Sequence, residues 1–94
     1  MKEVVLNKCY GNFSLSKEAY EYLGLDWDGY GYAYSDYDKR TDPKLVECVK
    51  ALGSKANGRF AKLKVVKIPD EIDIEECLTD YDGIETIDEP HRSW

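Results

Sequence analysis

The sequence predicts an α+β domain: a mainly antiparallel sheet of four to five strands, two short helices on one face, and a C-terminal β-hairpin. Three observations carry this. Runs of β-forming residues with alternating character lie near both ends. Two segments begin and stop with helix-capping residues and repeat their apolar positions at helical spacing. Asp82-Gly83 is the dipeptide that a two-residue hairpin turn favours.

Lys2 to Tyr10 (KEVVLNKCY) reads as a first strand, closed by Gly11-Asn12. Ser16 is placed as an N-cap, with Leu15 before it positioned to staple onto Tyr20 and Gly24 at the stop, which gives a helix over 17–23. In LDWDGYGYAYSDYD, tyrosines at 30, 32 and 34 recur every second residue, so a strand would set all three rings on one face. Asp42-Pro43 starts a second helix, whose stripe is Leu45, Val49 and Leu52 and whose end is Gly53. Arg59 to Ile68 (RFAKLKVVKI) reads as a strand closed by Pro69. Ile72, Ile74 and Leu78 mark the inward face of another strand, and Ile84 to Glu89 returns antiparallel after the turn.

With 94 residues there is room for one domain over 1–94, and 43% hydrophobic with 34% charged residues is the composition of an ordered globular chain. No apolar run approaches the roughly 20 residues of a membrane span, and the first residues lack a signal-peptide core. A cytoplasmic location and no membrane contact are therefore expected. Cys9, Cys48 and Cys77 are odd in number and widely spaced, which points to buried free thiols and not to a disulfide framework or a zinc site.

The formal charge of −6 argues against stable nucleic-acid binding. That average hides a segregation. Residues 39 to 67 carry nine basic groups against Asp42 and Glu47, a net +7, whereas residues 70 to 89 carry ten acids and no base. Two arrangements fit: cross-strand charge pairs within one sheet, or an acidic surface that meets a basic partner while the basic stretch holds an anion.

Little in the sequence suggests catalysis. His91 is the only histidine, and there is no phosphate loop, nucleophile elbow or paired-histidine zinc motif. Asp80-x-Asp82-Gly83 begins like a calcium loop, but its twelfth position is His91 where glutamate is needed. No metal or cofactor is expected. The residues suited to holding a ligand are Tyr10, Tyr32 and Tyr34 as stacking faces, Arg40 and Arg59 as cations, and the tail His91, Arg92 and Trp94, which groups an imidazole, a guanidinium and an indole. Packing of the tyrosine stripe and anchoring by the tail are the competing structural roles.

The stretches VLNKCYGNFSLSKEAYEYLGL, TDPKLVECVKALGSKANGRFAKLKVVKIPD and DYDGIETIDEPHRSW resemble, over nearly the whole chain, a family of small proteins encoded by tailed phages and prophages. The resemblance implies an accessory protein made in a bacterial cytoplasm, and it supplies no active site. On this reading the chain is a non-catalytic, homo-oligomeric anti-defence protein that sequesters a nucleotide-type immune signal, a cyclic nucleotide or an ADP-ribose derivative. The alternative is direct inhibition of a host defence protein through the acidic surface.

Overall fold

The computed structural model describes residues 1–89 and 92–93. It is an α+β arrangement with antiparallel strands in two small sheets and, among the described residues, three helices. Strand β1 (Lys2–Asn7) pairs along its length with β2 (Leu63–Ile68), from Lys2 opposite Ile68 to Asn7 opposite Leu63. The second sheet runs in the order β3 (Leu78–Tyr81), β4 (Ile84–Glu89), β5 (Arg92–Ser93).

Both expected helices form where the local chemistry places them. Helix α1 (Lys17–Leu23) is capped by the Ser16 side chain, which accepts from the Ala19 N–H, and it ends at Gly24 in the left-handed conformation. Helix α2 (Pro43–Leu52) starts from Asp42, whose carboxylate accepts from the Lys44 N–H. It buries Leu45, Val46, Cys48 and Val49, a wider stripe than its spacing alone suggests.

A single four-to-five-stranded sheet does not form, because β1's second edge is used up by other groups. Val5 N–H donates to the Arg40 carbonyl, and Asn7 N–H donates to the Glu85 carboxylate. The hairpin therefore docks on β1 through side chains and turn atoms, not through a backbone ladder. Asn7 Nδ2 donates to the Gly83 carbonyl at 2.7 Å, and Gly11 N–H donates to the Asp82 carbonyl at 2.9 Å. Strand β1 is thereby covered on both faces. Val5 joins Leu15, Tyr20, Leu45 and Val49 on the helical side, while Val4 and Leu6 join Ile68, Ile72, Ile74, Leu78 and Ile87 on the hairpin side.

Two predicted strands are corrected. Ile74 lies in the one-turn helix α3 (Ile74–Cys77), because the Asp73 side chain accepts from the Glu75 N–H and caps that turn. The tyrosine segment is a loop. Gly29 and Gly31 adopt φ of 87° and 85°, and Tyr34 itself adopts 66°, so the alternation that would put three rings on one face is broken at three positions.

The three cysteines are free thiols, but only Cys48 is buried, with Cys9 and Cys77 partly exposed. Burial pushes the Cys48 thiol up from its ordinary range and so suppresses the reactive thiolate. Labelling the native protein with a thiol reagent at pH 8 is expected to modify Cys9 and Cys77 readily and Cys48 only at the rate of unfolding. Equal rates for all three, read by mass spectrometry, would contradict this packing.

Candidate functional site

Three segments with no regular structure of their own converge beside α1. The first, residues 11–16, is stitched on both sides. Leu15 N–H donates to the Gly31 carbonyl at 2.8 Å, Gly58 N–H donates to the Ser14 carbonyl, and Ser16 N–H donates to the Ala56 carbonyl. Gly58 is required by the closeness of this seam, since an added Cβ would lie 2.7 Å from the Ser14 carbonyl carbon. The tyrosine loop is thus held on one side of residues 14–16 and the 56–60 segment on the other.

Between them lies a cleft of about 620 Å³, a size suited to a small organic ligand. Its walls carry Trp27, Tyr30, Tyr32 and Phe60 together with Lys17, Arg59 and Asn57, and no carboxylate side chain among the described residues lines it. In a chain of net charge −6, a lining with two cations and no acid is a local reversal of sign. The aromatic walls are open to solvent: Tyr30 is 72% exposed, Phe60 63% and Tyr32 51%.

The walls are also ordered. Asp28 Oδ1 accepts from the Tyr30 and Gly31 N–H groups at 2.8 and 2.9 Å. Those bonds, with that from Gly31 foremost, hold the Asp28 carboxyl below its ordinary range, so it stays an acceptor. The Tyr20 hydroxyl donates to Asp28 Oδ2 and accepts from the Ala33 N–H. Trp27 packs edge-on against the Tyr20 ring, with centroids 5.0 Å apart, and the Tyr30 and Tyr32 rings lie parallel within 7°. Arg59 rests its guanidinium 5.3 Å from the centre of the Phe60 ring. Asn57 Oδ1 accepts from the Leu63 N–H, which leaves Nδ2 as the donor end of that amide.

Chemically the cleft offers flat faces and hydrogen-bond donors. One of its lining hydroxyls, Ser16 Oγ, is committed to capping, since it accepts from the Ala19 N–H and donates to the Lys55 carbonyl. Among the described residues no group of three or more His, Cys, Asp or Glu side chains is gathered as a metal site, and no helix is long and apolar enough to cross a membrane.

Of the residues singled out in the sequence, Tyr32 and Arg59 meet in this cleft. Tyr10 is exposed beside Gly11 at its border. Tyr34 turns away, packs against the helical core and lines a separate small groove with Leu25, Ala33, Lys39 and Asp42. Arg40 is not available to a surface ligand. It is 1% exposed and pairs with Glu85, which corrects its assignment as an anion-binding cation. His91 and Trp94 lie outside the described residues, and Arg92 is placed opposite Glu89 in the β4–β5 ladder.

Trp27, Phe60, Lys17 and Asn57 were not anticipated. The signals for two of them were turn dipeptides, Asp28-Gly29 after Trp27 and Asn57-Gly58 before Arg59-Phe60, which mark loops that present their neighbours to solvent. The basic and acidic segments are not interleaved in one sheet either: β2 pairs with β1, and β3 with β4. Asp70, Glu71, Asp73, Glu75, Glu76, Asp80, Asp82 and Asp88 are all exposed. No family model, curated protein or solved structure matches this chain.

Proposed function

We propose that this chain is a non-catalytic binding protein that holds a nucleotide-type ligand in the Trp27–Phe60 cleft, with the base against the aromatic walls and the phosphate toward Arg59 and Lys17. The observation that carries this reading is the combination in one lining, among the described residues, of four aromatic side chains, two cations and no carboxylate. Base-on-aromatic stacking contributes about 1–3 kcal/mol per contact, and a guanidinium adds paired donors to a phosphate. In the setting implied by the resemblance to phage proteins, such binding sequesters an immune signal, a cyclic nucleotide or ADP-ribose derivative, and leaves it chemically intact.

The test is depletion. Incubation with candidate signals, followed by filtration, removes the bound one from solution, and heating the protein returns it unchanged. Recovery of a cleaved product would make the protein an enzyme. Tyr32→Ala and Arg59→Ala, both at exposed positions, are each expected to weaken binding about 5- to 150-fold by calorimetry while leaving the unfolding temperature nearly unchanged. Full affinity in both variants would remove the ligand from this cleft.

The eight exposed carboxylates between residues 70 and 88 favour a second reading, in which this face meets a basic surface of a host protein. That reading requires a stoichiometric host partner whose complex weakens steeply with salt. A salt-insensitive complex, or none, counts against it.

A further inference from the structure

Among the described residues nothing pairs with the outer edge of β2, which carries a strong charge bias. The direction of its backbone groups follows from β1. Val5 and Asn7 aim their N–H groups away from β2, at the Arg40 carbonyl and the Glu85 carboxylate. The inter-strand bonds therefore belong to the pairs Lys2–Ile68, Val4–Val66 and Leu6–Lys64. Leu63, Val65 and Lys67 must then aim outward. The Leu63 N–H bears this out by donating to the Asn57 side chain, and the outward groups of Val65 and Lys67 have no hydrogen-bond partner among the described residues.

Along this edge Lys62, Lys64 and Lys67 are exposed, and none has a carboxylate within salt-bridge distance among the described residues. Lys64 also lies close enough to Lys8 to disfavour that residue's charge, second only to burial. Lysines on an edge strand repel a second copy of the same strand. By the same electrostatics they attract a strand of opposite charge.

We infer that the β2 edge is a docking site for an extended acidic segment of a partner protein, which adds as a third strand beside β2. Its backbone pairs with the free groups of Val65 and Lys67, and its carboxylates lie against Lys62 and Lys64, which share one face of the strand, while Lys67 stands on the other. Main-chain bonds supply the binding and alternate side chains the selectivity, as in other strand additions. The cleft and its ligand are not involved.

The probe is an end-blocked octapeptide of alternating valine and glutamate, titrated into the intact protein at 50 mM salt. Three results are expected. The glutamine counterpart binds at least tenfold more weakly, a peptide N-methylated at every second residue also loses at least tenfold, and Lys62→Glu/Lys64→Glu inverts the preference toward a valine–lysine peptide. No binding of the glutamate peptide at millimolar concentration overturns the proposal. Equal binding of the N-methylated peptide also overturns it, since that would be charge attraction without strand pairing. Self-association of the free protein through this edge, seen by sedimentation and altered by Lys64→Glu, would make the occupant a second copy and likewise overturn it.

Discussion

Arg40→Ala is expected to cost about 3–5 kcal/mol in urea unfolding, the range for removing one partner of a buried ion pair. Arg40 is the bond between the two halves of the molecule. Its Nη2 donates to Glu85 Oε2 at 2.7 Å and to the Ser35 carbonyl at 2.8 Å, while Nη1 reaches Glu85 Oε1 and the Val5 carbonyl. Its guanidinium also lies 3.8 Å from the centre of the Phe13 ring. Truncation would leave Glu85, only 2% exposed, as a buried carboxylate with the Asn7 N–H as its one remaining hydrogen bond among the described residues. For a chain of this length such a loss lowers the unfolding midpoint by roughly 15 °C or more. The double variant Arg40→Met/Glu85→Met should be less damaged than the sum of the two single changes, because no charge is then stranded. Additive costs would show that the pair is not the source of the effect.

Gly83→Ala is the second large effect. Gly83 has φ of 94°, which disfavours any side chain, and an added Cβ would sit 1.1 Å from the Gly11 carbonyl oxygen. Backbone cannot yield by that amount while Gly11 N–H still donates to Asp82 and Asn7 Nδ2 to Gly83. The hairpin must lift from β1 and surrender those bonds. Gly24 is the control: its φ is 74°, but nothing lies within 4 Å of a Cβ there, so Gly24→Ala measures the conformational cost alone, about 1–2 kcal/mol. Gly83→Ala is expected to exceed that by at least about 2 kcal/mol and to raise amide exchange in residues 78–89 selectively. Equal costs at the two glycines would mean that the hairpin does not dock as closely as described.

What could be read in the sequence was what is decided within a few residues. Ser16 with Gly24, Asp42 with Pro43, and Asp82 with Gly83 set their caps and turn through contacts within about one helical turn, and each element formed as expected. The sheet was misjudged because its extent depends on which groups reach β1's free edge, and the Arg40 carbonyl and Glu85 carboxylate arrive there from positions no local pattern connects. The tyrosine alternation was misleading for a related reason. Period two predicts a strand only if each intervening residue is extended, and Gly29 and Gly31 are not. The candidate cleft was half legible: Tyr32 and Arg59 stood out by chemistry, whereas Trp27 and Phe60 joined them only through the seams at Leu15 and Gly58.

The central position of β1 has a consequence for how the chain acquires its structure. The backbone groups of this strand bond to remote positions: β2, the Arg40 carbonyl and, from the Asn7 N–H, a carboxylate 78 positions further on. Such non-local contacts slow folding, because loop closure must be paid before they form. During synthesis Val4, Val5 and Leu6 leave the ribosome as an apolar strand with nothing to pair with, while α1 and α2 can already form behind them. Only when Glu85 emerges can Arg40 be neutralised and the strand closed in on both faces. A ribosome that stalled before that point would display a sticky edge and a charge in want of its counterion, and quality-control proteases would meet the chain in that condition.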